Sequence, residues 1–477
     1  MLFIHPPYQR RKDSGVNIPL GLGYLASFIR LKGFKPRILD CVPFFSSLDS
    51  NSLGGMENWL MLKLREISPS LAIGVGPCTL ASVKSAISIG KVCKKVLPNV
   101  PIIYGGPLAS IPGLEWFFFE YLNAYAVIPG DGEVVLSNLL MELRSGKKRQ
   151  IEGVSYVSTQ KFAPNFVKDL EMLPFPARDL FDGSLYFLST RRDLFVSPFA
   201  SVVCSRGCPH SCGFCSASVI RNGFQSKRSL RSISEEIRML TFDMGIRSIV
   251  FYDDCSFSNA STANEEMTEF SKIMRNTGKG AVWQIEMRPD IANSLDETSI
   301  KAMYESGCRQ INLGIEKGTL KGLRSIEKAL QPEQSVEACK RIRLTAPNLR
   351  LAGTFILGGP GETHNEAVET IEYSKNLGLL FAHFYPLEIY PGTRLYQKKF
   401  GSDMHAWLDL IPRDTVFSGS IIYEDLLRKE DIAVLTCKAY RAFYRRKEWV
   451  SLGKKLLGSH FETVHSAAFS WGENPRW

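Results

Sequence analysis

Four of the chain's 11 cysteines crowd into one stretch, Cys204-Ser205-Arg206-Gly207-Cys208-Pro209-His210-Ser211-Cys212-Gly213-Phe214-Cys215. Within it Cys208, Cys212 and Cys215 are separated by three and then two residues. Thiolates this close on one loop can fold around a single metal centre, and three of them can hold a cubane iron–sulfur cluster while leaving one iron open. A structural zinc site is the other reading, with Cys204 as the fourth closed ligand. Against zinc, Cys204 ends an apolar strand with no loop to bend it back. Zinc ligands also tend to arrive as two separated pairs, and these form one compact triplet. Cys41, Cys78, Cys93, Cys255, Cys308, Cys339 and Cys437 are scattered through the rest of the chain. Such an odd, uneven set in a long chain is not a secreted disulfide framework and suggests metal in a reducing compartment. Cys255, next to Asp254 at a predicted strand end, is the candidate for a second reactive thiol; its other reading is a small buried hydrophobe.

The elements that must position the triplet begin at Phe199. Apolar runs at Ala200–Cys204, Ser248–Tyr252, Val282–Glu286, Gln310–Gly314, Leu351–Leu357 and Ala382–Ile389 read as strands. Helical patterns separate them at Ser234–Asp243, Ala263–Asn276, Glu297–Glu305, Pro332–Thr345 and Glu366–Asn376. Six strands alternating with helices predict a partial (β/α)6 barrel of the TIM type, with ligands at the carboxyl ends of its strands. An earlier alternating series, over residues 1–145, predicts a doubly wound, Rossmann-like parallel sheet. Several of its strand ends carry glycine, as in Gly105-Gly106-Pro107 and Gly130-Asp131-Gly132-Glu133, which lets backbone approach a nucleotide-like ligand closely. Residues 146–195 lack a period, and Leu173-Pro174-Phe175-Pro176 suits an extended connector. The expected organisation is therefore a sheet domain over 1–145, a linker over 146–195, a barrel domain over 196–400 and a helical region over 401–477.

Composition agrees with this plan. A chain of 477 residues with 44% hydrophobic and 22% charged residues can bury real cores, which excludes disorder over most of its length. Its formal net charge of +10 points to simple solubility, an acidic substrate or an acidic protein partner, and no arginine-rich tract supports nucleic acid. Met1-Leu2-Phe3-Ile4-His5-Pro6-Pro7 has no basic run ahead of its apolar residues, and no stretch approaches a membrane span. A cytoplasmic protein is expected.

With Phe214 just before its last cysteine, and with its place after the first strand of a partial barrel, the triplet resembles the signature of the radical S-adenosylmethionine (SAM) superfamily. The resemblance implies a [4Fe–4S] cluster on Cys208, Cys212 and Cys215, with SAM on the open iron and cleaved there to a 5′-deoxyadenosyl radical. Several further stretches resemble the branch that carries an N-terminal cobalamin-binding domain: Arg228-Ser229-Leu230-Arg231-Ser232, Phe251-Tyr252-Asp253-Asp254, Gly314-Ile315-Glu316-Lys317-Gly318, Gly358-Gly359-Pro360-Gly361-Glu362-Thr363 and Tyr390-Pro391-Gly392-Thr393. On that likeness Glu316, Arg288, Asp253, Gly358 and Gly359 are expected near SAM. Arg288 is suited to a bidentate contact with its carboxylate; the plainer reading of Glu316 and Arg288 is a barrel-mouth ion pair, and of Asp253 a turn or helix cap.

Pro19-Leu20-Gly21-Leu22-Gly23-Tyr24, Gly105-Gly106-Pro107 and Gly130-Asp131-Gly132-Glu133 resemble the cobalamin-binding domain itself, placing Gly105, Gly106, Gly130 and Glu133 at the cofactor. The chain departs from methionine-synthase-type domains in lacking Asp-x-His-x-x-Gly, and Gly-Gly-Pro is followed by Leu108 where histidine is common. His5, the one histidine before His210, is expected to pack or cap. The resemblance as a whole implies cobalamin-dependent methylation of an unactivated carbon in a small-molecule biosynthetic substrate. The alternatives are a non-methylating radical SAM enzyme (dehydratase, cyclase or rearrangement) with the first domain as scaffold, and an enzyme that modifies tRNA. Under this reading the positive charge suits docking of an acidic flavodoxin- or ferredoxin-type electron donor.

Overall fold

The computed structural model describes residues 1–8, 16–45, 53–146, 150–161, 163–186, 198–411 and 421–471. It divides into two compact units, the first comprising Met1–Ser189, Val219–Asn222 and Tyr390–Ile421, the second Thr190–Ser218, Gly223–Ile389 and Ile422–Trp477.

In the first unit, short apolar runs form β1 (Leu2–His5), β2 (Arg37–Asp40), β3 (Ile73–Val75), β4 (Ile102–Gly105) and β5 (Ala126–Ile128), all parallel in the order β2-β1-β3-β4-β5. This is the doubly wound order with its reversal between β1 and β3, where the carboxyl ends of the strands open a crevice. Helices Leu20–Leu31 and Val83–Val96 connect strands of this sheet, and helix Glu133–Ser145 follows β5. A further helix, Leu53–Ile67, buries Met56, Leu60 and Leu64, one per turn. Much of the segment read as a connector belongs to this unit. Val154 and Ala177 join the core under Leu22 and Ala26, while Val167, Leu170 and Leu173 pack on Tyr24 and Phe28. Residues 187–197 of that expected linker lie outside the described residues. Tyr390–Ile421 also groups here, although the barrel was expected to run to 400, and its rings have partners in this unit. His405 stacks on Trp116 with ring centroids 4.0 Å apart, and Trp407 meets Phe117 edge-on at 5.1 Å.

The second unit is built on an open sheet of six parallel strands in sequential order: β6 (Phe199–Val202), β7 (Ser248–Phe251), β8 (Val282–Met287), β9 (Cys308–Glu316), β10 (Arg350–Leu357) and β11 (Phe381–Pro386), beside which Ser205–Arg206 pairs antiparallel with Ser226–Lys227. Helices Leu230–Arg238, Ala263–Thr277, Glu297–Glu305, Pro332–Thr345 and His364–Lys375 alternate with them, giving the expected six-stranded partial barrel. Six strands leave β11 as an edge, and the C-terminal helices cover it. On helix Lys429–Tyr444, the Tyr444 hydroxyl accepts from the Ala382 amide at 3.0 Å and Tyr440 from the Phe384 amide at 3.2 Å. Trp449 Nε1 donates to the Leu380 carbonyl at 2.6 Å. Among the described residues no helix is long and apolar enough to cross a membrane.

Gly130 shows how tightly the turns after the first sheet are packed. Its φ is +79°, and a β-carbon there would lie 2.2 Å from the Asn165 carbonyl oxygen. Gly130→Ala is expected to destabilise the protein by about 1–3 kcal/mol from the left-handed backbone alone, with the clash adding to it. Thermal unfolding of the variant should show the lowered midpoint, and an unchanged midpoint would contradict the packing described.

Candidate active site in the barrel mouth

The triplet's loop leaves β6 and is tied down before its first cysteine. Asp253, just past β7, accepts from the amides of Cys204 at 2.8 Å and Ser205 at 2.5 Å, and from the hydroxyls of Ser205 at 3.2 Å and Ser256 at 2.8 Å. Asp254 accepts from the Gly207 amide at 3.0 Å. Gln225 Nε2 bridges the carbonyls of Gly207 and Cys255, at 3.2 and 2.5 Å. Two adjacent carboxylates thus act on opposite sides of one backbone. Asp253 is buried in the latch, and Asp254 faces a cavity. Asp253, expected near SAM, is not among that cavity's lining residues; it fastens the distant backbone at Cys204 and Ser205. Arg228 reinforces the same region from below, ion-paired to buried Glu236 at 2.5 Å and donating to the Val203 carbonyl.

Cys208, Cys212 and Cys215 all line this cavity of about 420 Å³, together with Phe214. Cys204 does not; it is buried under the latch, as its place at a strand end implied. Hydrogen bonding from Cys255 and from the His210 amide, helped by the Arg288 charge, holds the Cys208 thiol down at about 7 despite partial burial. Burial pushes Cys215 up to about 11. Three soft sulfur donors on one wall, with the cationic Arg288 Nη1 3.8 Å from Cys212 Sγ, fit the thiolate ligation of an iron–sulfur cluster.

The other walls come from alternate residues of the strands. Gln284 and Glu286 on β8, Gln310, Asn312 and Gly314 on β9, Ala352 and Thr354 on β10, and His383 and Tyr385 on β11 all face inward. Parallel register sets them in rows, with Gln284 beside Gln310, Glu286 beside Asn312 and Ala352, and Gly314 beside Thr354 and His383. At the end of β9 the register shifts between Gly314 and Glu316, and Glu316 takes φ +69°. This irregularity turns Glu316 into the cavity, where Lys328 Nζ meets it at 2.9 Å and also donates to the Gly314 carbonyl at 2.7 Å. The next residue points away. Lys317, fully buried, pairs with Glu362 at 2.6 Å and donates to the Gly358 carbonyl at 2.9 Å.

Arg288 and Glu316 therefore come together in the cavity, each already holding a partner. Arg288 grips Asp290 through two bonds of 3.0 and 3.1 Å. Gly358 and Gly359 are not among the lining residues; a β-carbon on Gly358 would sit 2.6 Å from Ile432 Cδ1, so that turn serves to pack the C-terminal helix and to wrap the Lys317–Glu362 pair. In the first unit, Gly105 ends β4 and accepts from the Cys78 amide at 2.9 Å, and a β-carbon on Gly106 would lie 2.6 Å from that same nitrogen. Gly130 packs on Asn165 as described, and Glu133 opens its helix almost wholly buried. His5, at the end of β1, is buried with Nδ1 2.8 Å from Asp40 Oδ1, so it packs as expected and is not displayed to a ligand. Sequence reasoning missed Lys328, Gln225 and the inward Gln284, Gln310 and Asn312. The last three carried a readable signal, polar residues at every second position of otherwise apolar strands; Lys328 and Gln225 lie in loops and carried none.

Residues 202–374 match the model of the radical SAM superfamily. Over 454 residues the chain is 28% identical to an uncharacterized methyltransferase of Pyrococcus horikoshii, covering 94% of this chain and 92% of that protein. Its fold is similar to that of the cobalamin-dependent S-adenosylmethionine radical enzyme OxsB, solved with aqua-cobalamin and S-adenosylmethionine bound, with a TM-score of 0.68 at 16% identity over 98% of this chain and 72% of that one. It is also similar to the radical S-adenosylmethionine methyltransferase TsrM of Kitasatospora setae, solved with cobalamin and a [4Fe–4S] cluster bound, with a TM-score of 0.64 at 15% identity over 83% of this chain and 77% of that one.

The latch yields a prediction with a definite sign. Burial pushes the Asp253 carboxyl up to about 6, against its four donors, from about 3.9 in an unfolded chain. Between those values the folded state holds more protons, so this group's contribution to stability falls as pH rises through the window. Asp253→Asn keeps an acceptor for the two amides and should remove that slope, measured as the difference from wild type in denaturant unfolding between pH 4 and 6. Asp253→Ala strands both amides and should cost about 2–4 kcal/mol at neutral pH.

Proposed function

The chain carries a radical SAM domain over residues 202–374, and on that premise we propose that it is a cobalamin-dependent radical SAM methyltransferase acting on an unactivated carbon of a small-molecule substrate. The observation that carries this reading is the convergence of Cys208, Cys212 and Cys215 on one polar cavity at the carboxyl ends of the barrel strands. A separate doubly wound sheet in the same chain, of the order that binds ligands at its carboxyl edge, suits a corrin. When bound, the cluster supplies the electron that cleaves SAM to a carbon radical able to abstract hydrogen, and cobalamin carries the methyl group.

The chain's own residues have defined tasks in this reading. Cys208, Cys212 and Cys215 hold the cluster and leave one position for SAM. Arg288 balances the negative charge of the thiolates and offers a guanidinium to the SAM carboxylate, while Glu316, steadied by Lys328, accepts a hydrogen bond from the SAM ammonium or ribose. Gln284, Gln310 and Asn312 provide neutral polar contacts deeper in the barrel. In the first unit, the turns at Gly105, Gly106 and Gly130 and the helix beginning at Glu133 shape the edge where cobalamin would lie, with no imidazole offered by His5. A cavity of about 420 Å³ suits small molecules, and the net charge of +10 suits an acidic flavodoxin- or ferredoxin-type electron donor.

The test uses anaerobically purified protein with cobalamin, a low-potential reductant and SAM labelled in its methyl group. Corrin bands in the visible spectrum and labelled methyl in a product are expected. Cys208→Ala, Cys212→Ala and Cys215→Ala should each lose the brown colour and bring SAM cleavage to background. SAM cleavage with no label transferred to any product would replace methylation by a non-methylating radical reaction, and cleavage retained in the alanine variants would contradict the cluster assignment.

A further inference from the structure

The cavity contains a fourth thiol that the proposed ligation does not use. Cys255 lines it with the triplet, and Cys208 Sγ, Cys255 Sγ and a ring nitrogen of His210 lie within 4.8 Å of one another. This proximity is built into the backbone. Cys255 follows the Asp253–Asp254 pair that holds Cys204, Ser205 and Gly207, its own carbonyl accepts from Ser205 Oγ at 3.2 Å, and Gln225 ties it to Gly207. The residue beside the first cluster ligand and Cys255 are thus fastened by the same set of bonds. The thiol lies 3.3 Å from the Phe257 carbonyl and also hydrogen-bonds with Cys208, so it stands directly against the first ligand of the triplet.

We propose that Cys255 ligates the open iron when SAM is absent and gives way when SAM binds, so that the resting cluster is held by four thiolates. The inference rests on the radical SAM reading. Ligation is a proton-coupled ligand exchange with no change of oxidation state. The Cys255 S–H bond breaks, its proton passes to solvent, and an iron–sulfur bond forms. SAM reverses the exchange by supplying its own nitrogen and oxygen donors, and the thiolate recovers a proton and its bond to Phe257. Such a cap shields the one iron that three-cysteine ligation leaves exposed to oxidant and water, and it makes SAM binding compete with an internal ligand. His210, whose Nε2 is buried with no hydrogen-bond partner among the described residues, is the competing donor at the same place.

The experiment follows loss of the open iron and does not depend on turnover. Holoprotein freed of SAM is treated anaerobically with ferricyanide, and the [3Fe–4S] signal is followed by electron paramagnetic resonance. Cys255→Ala is expected to form that signal at least several-fold faster than wild type, His210→Ala at the wild-type rate, and added SAM should bring all three to one slow rate. As a measurement on the wild-type protein alone, the Mössbauer spectrum without SAM should show four sulfur-ligated irons, one of which changes when SAM is added. Equal rates for wild type and Cys255→Ala, faster loss in His210→Ala alone, or a distinct iron site before SAM is added would each overturn the role of Cys255. Wild-type protein that never holds a four-iron cluster would overturn the radical SAM reading and this inference with it.

Discussion

The candidate site depends on one carboxylate. Asp253 takes hydrogen bonds from two consecutive amides and two hydroxyls, and so fixes the chain leaving β6 to the chain leaving β7. A three-cysteine loop has little secondary structure of its own, and its sulfurs can share one centre only if its entry is held. Hydrogen bonds to a charged, buried acceptor are the strong kind, about 1.5–3 kcal/mol each. The cost is a desolvated carboxylate, visible as its raised pKa. Asp254 and Gln225 repeat the same fastening one step closer to Cys208.

What the latch holds is then furnished by the parallel strands of the barrel. Residues at every second position of β8 to β11 face the cavity, and many are amides, hydroxyls or carboxylates where a closed barrel would carry branched apolar side chains. Leaving the barrel at six strands opens its interior to a ligand and exposes an edge, and Tyr440, Tyr444 and Trp449 meet the backbone groups that this edge would otherwise leave unpaired. The break in register at Gly314–Glu316 performs the last adjustment. It turns Glu316 into the cavity and Lys317 into the core, so one irregular step serves both the site and the packing beneath it.

Much of this was legible in the residues. The six barrel strands, the helices between them, the doubly wound first sheet and the cysteine triplet all follow from periodicity and spacing, since each is a local pattern. What was not legible depends on partners distant in sequence. Gly358, Gly106 and Gly130 carry motif-like spacing, yet their lack of a side chain is demanded by Ile432, Cys78 and Asn165 pressing on them. Asp253 and Asp254 are neighbours that only a backbone direction can separate into latch and lining. Residues 146–195 read as a connector because they lack a period, yet Val154, Val167, Leu170, Leu173 and Ala177 each bury a side chain in the first unit's clusters. Cys255 was noticed as a thiol near a strand end; its nearness to Cys208 comes from a fastening made by side chains 30 and more residues apart.

The central claim is that three thiols of this loop hold a four-iron cluster with a position that SAM occupies. It is tested most directly by the electron paramagnetic resonance spectrum of the anaerobically reduced protein recorded before and after SAM is added. The account predicts a [4Fe–4S] signal in wild type whose shape changes on addition of SAM, because a new ligand reaches one iron. A cluster signal that SAM leaves unaltered, or a metal centre with no iron in it, would contradict the account.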